Sequence, residues 1–154
     1  MTRTRLGRIL KWLAIFIVAL IVLRFGTAAI WPIINDVRTG ATPEYPDIQA
    51  QHFKAPPDKV FDSALALARA SGWEVVTANA VPPATGKTRE IHAVATTRLW
   101  RFKDDVTISI DPEGEGSVVN MHSQSRIGKG DFGANARRIR QFQADLAAKL
   151  SGRQ

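Results

Sequence analysis

The chain has 154 residues, of which 45% are hydrophobic, 23% charged and 8% aromatic; this excludes a disordered polymer and allows one ordinary domain with a small appendage. With no cysteine it has no disulfide framework, thiol nucleophile, zinc ribbon or lipid-modified N-terminal cysteine. The formal charge is +7, but residues 1–24 hold five of the 21 Lys/Arg (Arg3, Arg5, Arg8, Lys11, Arg24) and no acid, and the other 130 residues carry 16 bases against 14 acids, so no nucleic-acid partner is expected.

Trp12 to Leu23 is an unbroken apolar run. As a helix it covers only ~18 Å of a ~30 Å hydrocarbon core. Extension from Leu6 to Phe25 admits Arg8, Lys11 and Arg24, which can snorkel to headgroups. Gly26 offers an end, and Trp31-Pro32 suits an interfacial exit. A cleavable signal ending at Thr27-Ala28-Ala29 is one reading. The preferred one is an uncleaved anchor over residues 1–34, because Arg24 flanks the run and Ile30, Trp31, Ile33 and Ile34 prolong it. The positive-inside rule then gives a single-pass protein of a bacterial inner membrane, with the N-terminus cytoplasmic and the rest periplasmic.

Residues 35–47 read as a linker, since Gly40, Pro43 and Pro46 interrupt any periodicity, and little periodicity returns before Pro57. A periplasmic domain is expected over 48–154. Ile48 to Phe53 is a candidate first strand. Pro56-Pro57 opens a helix carrying Val60, Phe61, Ala64, Leu65 and Ala68 on one face, with Gly72 at its C-terminal cap. Trp73 to Thr77 reads as a strand, Val81 to Gly86 as a loop, and Thr88 to Thr97 as a strand with Ile91, Ala93 and Ala95 on one face. Val106, Ile108 and Ile110 alternate with polar residues; after a turn at Glu113 to Gly116, Ser117 to Ser125 returns with Val119 and Met121 inward. That is a hairpin. Ala134 to Leu150 is a helix with Ile139, Phe142, Leu146 and Leu150 on one stripe. The fold class is therefore α+β: an N-terminal transmembrane helix, then a two-layer sandwich of a four- to five-stranded antiparallel sheet and two helices, similar to the helix-grip arrangement.

Gly128-Lys129-Gly130-Asp131-Phe132-Gly133 spells G-x-G-x-x-G, but no βαβ unit with an acidic strand end follows it, so a dinucleotide cofactor is not expected. Arg126, Lys129, Arg137 and Arg138 crowd a helix start whose dipole is already positive, which calls for a negative partner. Two partners compete. The internal one is Asp131 as cap, with Asp104 or Asp105 pairing an arginine. The external one is an anion such as a lipid phosphate or a partner's carboxylate. Arg98 to Lys103 mixes aromatic and basic residues: either a strand with Trp100 and Phe102 in the core, which is the preferred reading, or an interface surface. His52, His92 and His122 have no metal spacing, and no serine sits in G-x-S-x-G. His92 and His122 are expected at most as surface residues on neighbouring strands, and the adjacent Asp104 and Asp105 point to opposite faces.

At Phe102-Lys103-Asp104-Asp105-Val106, and above all from Ser125 to Ile139 (SRIGKGDFGANARRI), the chain resembles the domain-of-unknown-function family 1499. The resemblance spans about residues 36–150 and includes Asp36 to Gly40. It implies a bacterial or plastid-related protein, often behind a signal or membrane segment, with no activity to carry over. It singles out Asp104, Asp105, Arg126, Asp131, Asn135, Arg137 and Arg138. The expected function is a non-catalytic, membrane-anchored envelope module. Its partners are the lipid bilayer and an anionic lipid or a membrane-complex subunit, engaged by these residues with Lys129 and Trp100. No cofactor or metal is expected. The alternatives are a carrier of a hydrophobic small molecule between helix and sheet, near Trp73 and Phe142, or an enzyme of unrecognised type using Asp131.

Overall fold

The computed structural model describes residues 3–30, 32–79 and 88–152, so the expected loop Val81 to Gly86 and the exit residue Trp31 lie outside the described residues. The chain divides into two compact units, Met1–Ile33 and Ile34–Gln154.

The first unit is α1 (Arg3–Ile30). Among the described residues no helix is long and apolar enough to cross a membrane. The transmembrane helix in the expected fold class is therefore corrected, and the single-pass inner-membrane placement drawn from it is corrected with it. The physical reason lies in the length of the run. Its twelve apolar residues reach ~18 Å, and lengthening the helix brings in basic residues rather than more hydrocarbon.

The second unit is an α+β domain: β1 (Asp36–Arg38), β2 (Gln51–Phe53), α2 (Pro57–Ala70), β3 (Glu74–Asn79), β4 (Arg89–Thr96), β5 (Lys103–Glu113), β6 (Gly116–Ser125) and α3 (Ala134–Leu150). All pairings are antiparallel, in the order β1-β6-β5-β4-β3, and β2 joins β6 beside β1, at the other end of that strand. Among the described residues the sheet thus has six strands rather than four or five.

The hairpin β5–β6 follows from strict alternation. Asp104, Val106, Ile108 and Ile110 of β5 are buried, as are Ser117, Val119, Met121 and Ser123 of β6. This face, with Ile91, Ala93 and Ala95 of β4, receives Val60, Phe61, Ala64 and Ala68 of α2 and Ile139, Phe142 and Leu146 of α3. Pro57 opens α2 at a position that needs no N–H donor, and Gly72 just beyond its end takes φ +74, which side-chain-bearing residues adopt at a cost.

Three expectations change. The proline-containing stretch before β2 is not only a linker: β1 pairs with β6, and Tyr45 and Ile48 join the core. Arg98 to Phe102 is a turn rather than strand, with Trp100 71% and Phe102 46% exposed. His92 and His122 are not on neighbouring strands, because Thr107 of β5 stands in register between them.

Candidate functional site

The helix-facing side of the sheet changes character along its length. Apolar from Ile110 to Val106, it ends in Asp104, Ser123 and Ser125, and the start of α3 is laid over that polar end. Asp104 is 1% exposed. Arg138 Nη2 donates to its Oδ2 at 2.5 Å, while Arg138 Nη1 donates to Ser123 Oγ at 2.8 Å and Asn135 Oδ1 at 2.5 Å. Ser123 Oγ donates in turn to Asn135 Oδ1 at 2.7 Å. The Asn135 amide donates to Ser125 Oγ and to the carbonyl of Asn35, each at 3.0 Å. A buried charge survives only when paired and hydrogen-bonded, and here both conditions hold.

Two loops rise from this floor. One is the β4–β5 turn, where Thr97 N–H donates to Phe102 O at 2.8 Å and Phe102 N–H to Thr97 Oγ1 at 2.9 Å. The other is the β6–α3 loop, held down by Asn35 Nδ2, which donates to Gly128 O at 2.6 Å, and by Asp131 N–H, which donates to Ile34 O at 3.1 Å. Among the described residues only Arg101 (φ 56) and Phe132 (φ 52) combine a side chain with left-handed backbone, and each loop carries one. Such strain gathers where the surroundings fix a geometry that function uses. Arg137 Nη1 donates to Phe132 O at 2.8 Å and holds one of them.

Between the loops lies a cleft of about 380 Å³, with Trp100, Phe102, Ile127 and Phe132 in its walls and Asp104, Ser125 and Asp131 among its polar lining residues. Leu99, Trp100, Phe102, Ile127 and Phe132 are all exposed, between 46% and 79%. Single exposed apolar residues need no explanation; five on two facing loops do.

The cationic corner is largely answered from within. Arg126 forks onto Asp105, with three N–H···O contacts between 2.6 and 3.1 Å. That hydrogen bonding holds the Asp105 carboxyl below its usual value and raises Arg126. Arg138 is spent on Asp104. Asp131 caps α3, its Oδ1 accepting from Gly133 N–H at 2.8 Å and its Oδ2 from Asn135 N–H at 2.6 Å. Burial first, then the charge of Asp131, pushes the nearby Tyr45 phenol up. Arg98, Arg101, Lys103 and Lys129 are exposed on or beside the same loops and have no acidic partner among the described residues.

Of the residues singled out from sequence, the structure thus brings Asp104, Asn135 and Arg138 into one buried network. Asp131 stands as cap beside it, Arg137 braces the loop, Trp100 is in the cleft wall, and Arg126 and Asp105 pair on the surface. Lys129 sits in the loop with no acidic partner among the described residues. Asn35, Ser123, Ser125, Ile127 and Phe132 are among the participants that sequence reasoning passed over. A signal existed for two of them: Ser123 and Ser125 fall in phase with the inward-facing Val119 and Met121. Asp104 likewise falls in phase with Val106, Ile108 and Ile110.

The carboxylates at this site are engaged in structural bonds, and no group of three or more His, Asp or Glu among the described residues is placed to hold a metal. Each histidine lies beside a carboxylate instead: His52 by Glu113 at 2.7 Å, His92 by Glu90 at 3.2 Å, His122 by Asp36 at 2.8 Å. Trp73 and Phe142 stack on each other with centroids 5.2 Å apart, so these two rings pack together.

The family model described as "Protein of unknown function (DUF1499)" matches residues 29–146, and the chain belongs to that family. No curated protein matches it. Among solved structures the chain is similar to the vertebrate conserved region of human METTL16, at 8% identity and TM-score 0.47 over 61% of this chain and 74% of that one. It is also similar to protein CV1439 from Chromobacterium violaceum (15%, TM-score 0.41, 75% of this chain and 97% of that one). A third likeness is to TTHA0849 from Thermus thermophilus (19%, TM-score 0.31, 77% and 95%).

Proposed function

We propose that this DUF1499 member is a non-catalytic binding module whose cleft engages an anionic lipid. One observation carries the reading: two facing loops expose five large apolar side chains and, beside them, four cations without an acidic partner among the described residues. Apolar surface next to uncompensated positive charge is complementary to a molecule with a hydrocarbon part and a negative head. The strained backbone at Arg101 and Phe132 supports a preformed site, since a loop free to relax would shed it. Catalysis draws no support here. A general acid or base must be free to exchange its proton with a substrate, whereas Asp104 and Asp131 are bound to Arg138 and to α3.

The test is an NMR titration of the full chain with short-chain phosphatidylglycerol and, separately, phosphatidylcholine, both monomeric. Signals of the Trp100 indole and the Gly128 and Gly130 amides are expected to shift, with phosphatidylglycerol binding about tenfold tighter, as ~1.4 kcal/mol of charge attraction gives. Arg101→Glu with Lys129→Glu should erase the preference, and Trp100→Ser with Phe132→Ser should abolish the shifts of the Gly128 and Gly130 amides. Equal binding of both lipids, or shifts confined to other regions, refutes the reading.

A further inference from the structure

We infer that the cleft is dimensioned for one alkyl chain, so that its ligand class is a single-chain anionic amphiphile of about a dozen carbons; the inference rests on the amphiphile reading above and sharpens it. On the scale where a cavity of about 150 Å³ takes the six carbons of benzene, the 380 Å³ cleft takes roughly a dozen to fifteen carbons. That is one chain. A two-chain phospholipid leaves its second chain in water and forfeits the transfer of every methylene on it.

The floor points the same way. An occupant of hydrocarbon is tolerated only where the polar groups beneath it need nothing from it. Asp104 Oδ2 is taken by Arg138, Ser125 Oγ accepts from Asn135, and both oxygens of Asp131 are taken by backbone N–H groups. Each of these groups already has a partner within the protein. The cations Arg98, Arg101, Lys103 and Lys129, without an acidic partner among the described residues, are exposed and not among the lining residues, which places the charged end of the ligand at the mouth and the chain inside. Both walls are braced. The turn of Trp100 is closed by Thr97, and the loop of Phe132 by Arg137 and Asp131, so the width does not adapt freely to a second chain.

The experiment follows the Trp100 indole and Gly130 amide signals of the full chain during titration with linear alkyl phosphates, each below its micelle concentration. Affinity is expected to rise about fourfold per added methylene from ~6 to ~12 carbons and then to level off. An alkyl trimethylammonium of equal length should bind at least about tenfold more weakly. Ala134→Leu adds three carbons to the lining and should move the break down by about three methylenes; Ile127→Ala, which widens the wall, should move it up. The two opposite variants keep the test valid where one fails to fold. Affinity that climbs steadily through the longest chain, or a break unmoved by both variants, overturns the inference. If such a result accompanies normal binding of short-chain phosphatidylglycerol, the proposed function stands and only the single-chain assignment fails. If neither lipid nor alkyl phosphate shifts the cleft signals, both fail.

Discussion

Replacing Asp104 by Asn tests whether the floor of the cleft is held by a buried charge pair. Asp104 is 1% and the Arg138 side chain 12% exposed, and Asp104 is the acid on that guanidinium. Neutralising the carboxylate leaves Arg138 buried with an uncompensated charge, a change that costs ~3–5 kcal/mol. For a unit of about 120 residues, an unfolding entropy of ~2.1 cal/mol/K per residue makes 1 kcal/mol worth about 4 °C, so the expected loss is ~12–20 °C in melting temperature. The assay is thermal unfolding followed by near-ultraviolet circular dichroism, with two controls. Asp105→Asn breaks the Asp105–Arg126 pair, whose side chains are 54% and 45% exposed, and solvent screening should hold its effect to a few degrees at most. Asp104→Leu with Arg138→Met removes both charges together and should recover most of the loss, because a hydrophobic replacement of a buried pair is close to neutral. If Asp104→Asn melts within about 4 °C of the native chain, or loses no more than Asp105→Asn, the buried-charge reasoning is wrong.

The left-handed conformation of Arg101 gives a second prediction: Arg101→Gly removes a cost of ~1–2 kcal/mol in the folded state against ~0.5–1 kcal/mol of added chain entropy, so melting should rise by up to about 6 °C. A fall in melting temperature would contradict it. The third concerns acid. Side-chain hydrogen bonds from Arg140 to Asp47 and from Arg126 to Asp105 hold both carboxyls below their ordinary 3.8. Their contribution is therefore complete above that value and lost as pH falls through the lowered one. The slope of melting temperature against pH below about 4 should flatten in the double variant Asp47→Asn with Asp105→Asn, and strong salt should reduce it in the native chain. An unchanged slope counts against these pairs.

Much of the site was legible as residues and little of it as geometry. The stretch from Ser125 to Ile139 pointed to Asp131, Asn135, Arg137 and Arg138, and the internal pairing weighed there set Asp131 as cap with Asp104 or Asp105 on an arginine; the structure pairs both acids. Which arginine takes which acid depends on strand faces. Asp104 and Asp105 are adjacent, so the pleat sends one to Arg138 under α3 and the other to Arg126 on the surface. Trp100 and Phe102 were misread because alternation in Leu99 to Lys103 mimics a strand. Nothing local reveals that Thr97 closes a turn and throws both rings outward.

From composition and periodicity alone came the α+β class, the helices α2 and α3, the hairpin β5–β6 and the inward faces of β4, β5 and β6, because hydrophobic spacing records which side of an element faces a core. Tertiary contact decided the rest. The proline-containing stretch before β2 became β1 and two core residues because β6 had an unpaired edge and α3 an uncovered flank. Likewise the cleft exists only because two loops distant in the chain start side by side, Arg126 N–H donating to Lys103 O at 3.2 Å. Spacing along a chain carries no term for that meeting; the ladder of the folded sheet supplies it.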